Sequence, residues 1–447
     1  LNILLLNHYA GTPALGMEYR PYYLAREWVR AGHRVQIVAA DHSHVRARQP
    51  ATGEEHMDGI HYRWLPTPPY QGNGVRRLRN VMRYLVQVRA LAPQLAAQFQ
   101  PDAVIASSTY PMDNWVAQDI AARTRAAGRA CRTVYEVHDL WPLSLIELSG
   151  MSPWHPFALI CQAAERSGYR HSDAVVSMLP KVQAHMSARG LDPAKLHIVP
   201  NGISPEDWEG PSAPLREDVA AAIQRARAGA PGSGAASAGA PGSGAASSPG
   251  VAGSSRRTSP APVLIGYAGS MGLPNALDDL LDAARLLADE PGQPPLRLVL
   301  VGDGHERARL QQRIQHEHLA DRVTWLPPIP KAQVRAFLAA IDIAYIGWQR
   351  VPIYRFGIAP NKLMDYMMAG KPVLHAVEAG NDPVGEARCG LTVAPQDAQA
   401  IATGLRRLAA TPAKEREAMG QRGRQFVLRH HSYPVLAQRF LRVLEPA

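Results

Sequence analysis

Three cysteines stand in the 447 residues, Cys131, Cys161 and Cys389, odd in number, far apart and without metal-ligand spacing. That scarcity excludes a disulfide framework and a cysteine metal cluster, and it suits a reducing cytoplasm. No apolar run approaches the roughly 20 residues of a membrane span. The apolar opening Leu1–Leu6 is far too short, and it lacks the basic flank of a signal peptide. Also missing is the clustered Lys/Arg and aromatic pattern of a nucleic-acid surface, so no nucleic-acid partner is expected. The 48 Lys+Arg against 38 Asp+Glu still leave a formal charge of +10, which favours anionic partners.

The length fits two domains, each with its own core. Asn2–Leu6 reads as a buried strand, followed by a Gly-containing loop and a helix over Tyr22–Ala31. Further strands are predicted at Arg34–Ala40, Asp102–Ala106, Arg132–Val137 and Ala174–Ser177, and the last runs from Leu196 into a Pro/Asn/Gly turn ending at Ile203. This is a doubly wound α/β domain over residues 1–200. Residues 201–262 form an interdomain segment in which the unit Ala-Gly-Ala-Pro-Gly-Ser-Gly-Ala-Ala-Ser occurs twice in tandem. Such a composition buries too little apolar surface to offset its ordering entropy, so Ala228–Pro260 is expected to be a disordered insertion. A second α/β alternation occupies 263–424. Its strands are expected at Val263–Tyr267, Leu296–Val301, Val323–Leu326, Ile343–Ile346 and Pro372–Ala376, and its helices at Ala276–Asp289, Glu306–His318, Lys331–Ala340 and Asn361–Ala369. Two such Rossmann-like domains face each other across a cleft lined by the carboxyl ends of both sheets.

The strongest local signal is the run Gly357–Val373. Pro360 disfavours helix before it, Asn361 can serve as an N-cap, and Gly370 with Pro372 stops the helix. Its first amides and dipole suit a phosphate, Lys362 adds a full charge, and Asp365 lies one turn on, facing sugar hydroxyls beyond that phosphate. An ordinary capped helix fits the same residues. Met364, Met367 and Met368 are read as helix packing. Gly266–Asn275 carries Gly269 and Ser270 at a strand-to-helix turn where amides can approach an anion, although a plain structural turn fits too. The Gly302-Asp303-Gly304 turn is a weaker case. No Asp-x-Asp occurs, so the usual metal clamp for a nucleotide diphosphate is missing; no metal or other cofactor is expected, and Lys331, Arg355 and Lys362 are the candidate cations. In the first domain His138 and Asp139 stand at a strand's carboxyl end, as catalytic groups do and as a structural hydrogen-bonded pair would. Gly16, Glu18 and Arg20 belong to the first loop over the same edge and could line the cleft.

Together these residues resemble the family-4 retaining glycosyltransferases of the GT-B fold. The resemblance rests on Gly32–Val35, Val137-His138-Asp139, Val199–Ile203, Gly302–Gly304, Asn361–Val373 and Cys389–Val393, and it spans nearly the whole chain outside the insertion. Arg355–Leu363 is similar to the fucosamine-transferase-like (WbuB-like) branch of bacterial surface polysaccharide synthesis. The resemblance implies an acceptor-binding N-terminal domain, a C-terminal domain that binds a nucleotide-sugar donor, and a last helix within 425–447 that packs back onto the N-terminal domain. It also implies that His138 contacts the transferred sugar. Asp365 matches the second acid of the family's Glu-x7-Glu motif, a ribose ligand, whereas Gly357 occupies the place of the first. The family's Arg and Lys after the first C-terminal strand are replaced by Ser270–Leu273.

The expected activity is metal-independent retaining transfer of a sugar, an acetamido-hexose, from a nucleotide diphosphate donor, taken as UDP-linked. The acceptor is a glycan or lipid-linked saccharide of O-antigen, lipopolysaccharide or capsule synthesis. A cytoplasmic enzyme would meet such an acceptor through peripheral contact with the inner membrane face. Two rivals stay open: a UDP-sugar epimerase of the same architecture, which needs no acceptor, and a catalytically inactive sugar-nucleotide-binding scaffold subunit.

Overall fold

The structure is a computed structural model that describes residues 1–16, 18–72, 74–229, 261–287, 289 and 293–445. The expected disordered insertion lies, beyond Gly229, outside the described residues.

The first sheet comprises β1 (Asn2–Leu6), β2 (Arg34–Ala40), β3 (Gly53–Met57), β4 (Ile60–Leu65), β5 (Ala103–Ala106), β6 (Arg132–Val137), β7 (Ala174–Ser177) and β8 (Leu196–Ile198). Its order is β3-β4-β2-β1-β5-β6-β7-β8. Only the hairpin strand β3 runs antiparallel. The sequence reading lacks the β3–β4 hairpin, and β8 ends five residues before Ile203. The second sheet comprises β9 (Val263–Ala268), β10 (Leu296–Val301), β11 (Val323–Leu326), β12 (Ile343–Gly347), β13 (Val373–Ala376) and β14 (Gly390–Val393), all parallel, in the order β11-β10-β9-β12-β13-β14.

Continuous apolar runs such as Leu4, Leu5 and Leu6 make central strands because both faces are covered. On one face of the first sheet lie the helices Val75–Gln94, Asp113–Ala126 and Pro156–His171. On the other lie Arg20–Arg30 and the last helix, Tyr433–Leu444. That last helix is held to the N-terminal domain by Trp28 Nε1 donating to the Ala437 carbonyl at 3.2 Å. Stacking of Tyr23 on Tyr433, with centroids 4.8 Å apart, adds to the contact. The helix before it runs unbroken from Ala413 to His430, through residue 424, and the chain crosses between domains at His431–Ser432. There it lies beside the first crossing: Ile203 N donates to His431 O at 2.8 Å and Tyr433 N to Ile203 O at 2.9 Å. Met364, Met367 and Met368 are buried in the second domain's core, as packing residues.

Strand order reverses between β1 and β5 in the first sheet and between β9 and β12 in the second. Ligands of open α/β sheets bind beyond the strand ends at such switch points. These ends carry Asn7, His8 and Ser107 in one domain and the Gly269 loop in the other.

Candidate active site

In the C-terminal half, Pro360 adopts φ −77° and ψ 129° and takes the N-cap position of the helix Asn361–Met368; it offers no side-chain cap. Asn361 is therefore the first helical residue rather than the N-cap, because the fixed φ of Pro360 suits the extended residue preceding the first turn. Its side chain is exposed and makes no hydrogen bond among the described residues. The opening amides are left facing outward with the positive end of the dipole. One turn on, Asp365 is half-buried, and its carboxylate makes no hydrogen bond among the described residues. Burial pushes it up to about 6, with Lys331 opposing and Asp207 reinforcing the shift. Lys331 begins its own helix and places its ammonium 4.0 Å above the Tyr19 ring of the first domain.

Lys362 turns toward the Gly269 loop, donating to Tyr267 Oη at 2.9 Å and to Asn275 Oδ1. Burial lowers its ammonium to about 8. A Cβ on Gly269 would lie 3.2 Å from that Nζ, and one on Gly302 would lie 1.9 Å from the Gly269 carbonyl oxygen. Glycine at both places lets the two turns stack with the lysine beneath them, and the Ser270 carbonyl accepts from Tyr267 Oη.

In the N-terminal half, Glu136 lies on β6 and His138 just beyond its carboxyl end, and the two side chains meet. Glu136 is buried and paired with Arg20 at 2.8 Å. It also accepts from Ser107 Oγ at 2.6 Å and lies 3.3 Å from His138 Nε2. Burial works against its ionised form, but Arg20 and then His138 outweigh that, so the carboxyl is held well below the usual range. Burial likewise disfavours the imidazolium, yet Glu136 and Glu18 hold His138 above its ordinary value. Glu18 Oε1 is 3.9 Å from His138 Nδ1. The site thus has a histidine-carboxylate group on one side and, on the other, a helix start with free amides and a buried lysine.

Several sequence expectations change. His138 and Asp139 are not a hydrogen-bonded pair: both lie in the bend after β6, where His138 turns to Glu136 and Ser107 while Asp139 is exposed. Arg20 does not line the cleft. It is 2 % exposed, and its fork is filled by Glu136 and the Val199 and Pro200 carbonyls, so it supports His138 from below. Gly16 bridges to Thr12 and Arg46 and closes its own loop. Arg355 does not join the helix start; Glu147 of the first domain engages it bidentately at 2.8 and 2.9 Å. Gly357 has φ +108°, and a Cβ there would sit 2.5 Å from Pro180 Cδ and 2.9 Å from Asn381 Oδ1. The position of the family's first acid is therefore a domain contact, joined by Lys181 N donating to Phe356 O and Asn201 Nδ2 to Ala359 O. Sequence reasoning missed Glu136, Tyr19, Tyr267 and Asn275. Only Glu136 carried a signal, the two-residue spacing from His138. Among the described residues no group of three or more His, Cys, Asp or Glu is placed to hold a metal ion.

Residues 16–202 match the glycosyl transferase 4-like domain, and residues 256–426 match glycosyl transferases group 1. The chain is a GT-B glycosyltransferase. Sucrose-phosphate synthase from Thermosynechococcus elongatus is similar in fold, with a TM-score of 0.65 at 18% identity over 98% of this chain and 97% of that one. HepE of Anabaena in complex with UDP-glucose gives 0.58 at 14% identity over 99% of each chain. WaaG, a glycosyltransferase involved in lipopolysaccharide biosynthesis, gives 0.60 at 14% identity over all of both chains. No curated protein matches the sequence significantly. In a GT-B glycosyltransferase the two switch-point edges face one crevice, which is where the Asn361 helix and His138 stand.

Proposed function

We propose that this glycosyltransferase is a family-4 enzyme of the fucosamine-transferase-like branch. It moves an acetamido-hexose with retention from a UDP-linked donor to a glycan or lipid-linked acceptor of bacterial surface polysaccharide. The observation that carries the donor half is the convergence of the Asn361 helix start, Lys362 and the Gly269 turn, with the unbonded Asp365 carboxylate one helical turn away. UDP in the HepE structures and the lipopolysaccharide role of WaaG support the choice of donor and pathway.

As the glycosidic bond to phosphate breaks, negative charge grows on the leaving diphosphate. The opening amides of the helix, the Gly269 and Ser270 backbone and Lys362 stabilise it without a metal. Asp365 accepts from the ribose hydroxyls, and Lys331 keeps that carboxylate ionised. His138, between Glu136 and Glu18, donates to a hydroxyl of the transferred sugar, so no protein nucleophile is needed. UDP release is the test, measured with Asn361→Ala, Asp365→Ala and His138→Ala. Losses of at least tenfold in each are expected, and activity within twofold of wild type in all three would sink the assignment. Release that continues without any acceptor while the sugar is epimerised would favour the epimerase reading instead.

A further inference from the structure

Three helices lie side by side on the outer face of the first sheet, and their amino ends all meet the crevice edge: Val75–Gln94, Asp113–Ala126 and Pro156–His171. In a parallel α/β layer each crossover helix runs antiparallel to the strands, so its first turns sit at the carboxyl edge of the sheet and its last turns at the amino edge. Here all three come after strands' carboxyl ends, Pro156–His171 by way of the short helix Leu143–Ser149, and Arg77, in the first turn of Val75–Gln94, donates to Tyr9 Oη at 3.1 Å just beyond β1. Most of the large apolar side chains that remain exposed among the described residues lie on the first half of these helices and the segments feeding them, with Leu1, Leu273 and Leu286 elsewhere. Val75 is 83 % exposed, Leu78 38 %, Met82 49 %, Trp115 38 %, Trp154 82 % and Ile160 48 %.

The charge on the first of these helices is one-sided. The segment Val75–Gln94 holds five arginines and no Asp or Glu. Arg76, Arg79, Arg83 and Arg89 are exposed and make no ion pair or side-chain hydrogen bond among the described residues. Residues 75, 78, 79, 82, 83, 86 and 89 recur at helical spacing, so arginine and apolar side chains share one outward stripe. The only acid in the first turn of either neighbouring helix, Asp113, is buried. A polyanion in solution would satisfy the arginines but leave Val75, Leu78, Met82 and Trp154 in water. An anionic lipid surface takes both, receiving the apolar tips below its headgroups and pairing the guanidinium groups with phosphates.

We infer that this collar is a docking surface for an anionic bilayer, which holds the crevice edge of the N-terminal domain against the membrane. The inference rests on the lipid-linked branch of the proposed acceptor, and it names the face by which such an acceptor enters. Lipid binding is tested apart from catalysis, by co-sedimentation of the full chain with phosphatidylcholine vesicles with and without phosphatidylglycerol. Salt-sensitive binding to the anionic vesicles alone is expected. The triple variant Arg76→Gln/Arg79→Gln/Arg83→Gln should weaken it by about a hundredfold, taking each arginine near the surface as about fivefold. Leu78→Ser/Met82→Ser should weaken it by about tenfold with the salt dependence retained. Both variants should keep the wild-type melting temperature and UDP affinity, which separates lost docking from lost folding. Wild type that ignores anionic vesicles, or binds heparin in their place, would overturn the inference, as would either folded variant binding like wild type. Transfer to a soluble acceptor should be untouched by the arginine variant; its loss in the active-site variants would instead bear on the donor chemistry.

Discussion

Lys362 offers a test in which proton release and donor binding are tied together. Its ammonium is lowered from 10.5 to about 8 by burial, with only neutral partners, Tyr267 Oη and Asn275 Oδ1, to offset the lost hydration. The unfolded chain keeps this proton up to about 10.5, so the folded free protein is penalised wherever the lysine is charged. That penalty is fully present below about pH 8 and fades as pH rises toward 10.5, amounting to at most about 3 kcal/mol and less with solvent screening. A bound diphosphate reverses the balance by supplying the missing counter-charge. The complex then holds the proton to higher pH, so binding above about pH 8 must take one up, and affinity must fall there by as much as about tenfold per pH unit. Replacement by methionine keeps much of the side-chain volume and removes one charge-assisted hydrogen bond, roughly 2 kcal/mol or about thirtyfold in affinity. The assay is calorimetry with a UDP-sugar, whose diester diphosphate has no titration of its own near neutrality, in buffers of differing ionisation enthalpy at pH 7 and pH 9. Proton uptake at the higher pH in wild type and none in Lys362→Met is expected. Equal uptake in both proteins, or an affinity unchanged by the substitution, would refute the placement of Lys362 beneath the diphosphate.

Asp365 is held up to about 6 by burial, so donor affinity should also fall below about pH 6 as the ribose acceptor protonates; Asp365→Asn should flatten that limb of the same titration. Arg20→Met strips Glu136 of its main counter-charge inside the first domain, and about 3 kcal/mol of stability should be lost in urea unfolding; a loss under 1 kcal/mol would show the pair to be dispensable. Gly357→Glu, which restores the family's first acid, should lower the melting temperature without raising activity, because its Cβ would press on Pro180 at a positive φ. Arg355→Ala removes a half-exposed pair with Glu147, so stability should change by less than about 1 kcal/mol and UDP-sugar affinity by less than twofold in the same calorimetry.

What the sequence made legible follows from how local each signal is. Apolar runs such as Ile343–Ile346 and helical stretches opened by a proline, such as Lys331–Ala340, state their structure within a few residues, and those elements lie where expected. The β3–β4 hairpin was written as Asp58-Gly59 between two strand-like segments, with both turn residues at positive φ, which is the strongest short hairpin signal there is. It went unread because β3 is a solvent-facing Gly-Glu-Glu-His-Met strand with no apolar alternation to announce it. The site shows the harder limit. That Lys362 faces Tyr267 and Asn275, or that Arg20 lies under His138, depends on contacts across 87 to 116 residues of chain, and no spacing rule reaches that far.

Those long contacts also bear on the missing residues. Ser270–Leu273 replaces the Arg and Lys that the family carries after the first C-terminal strand, and a lost phosphate clamp would be the simplest reading of that change. Yet Lys362 sends its ammonium from the neighbouring helix to within 3.2 Å of where a Gly269 Cβ would stand, close to the turn those side chains would have served. A bulkier residue at Gly269 would crowd that ammonium, and a second cation on the same turn would repel it. On the proposed reading, the small turn and Lys362 are parts of one arrangement, in which the neutral partners Tyr267 and Asn275 leave the ammonium without a counter-ion until the donor's diphosphate binds. Gly357 has no such replacement, because the place of its acid is filled by Pro180 and the Asn381 amide. The two departures from the family pattern consequently differ in kind: the cation has been moved, whereas the acid's place has been given over to domain contact.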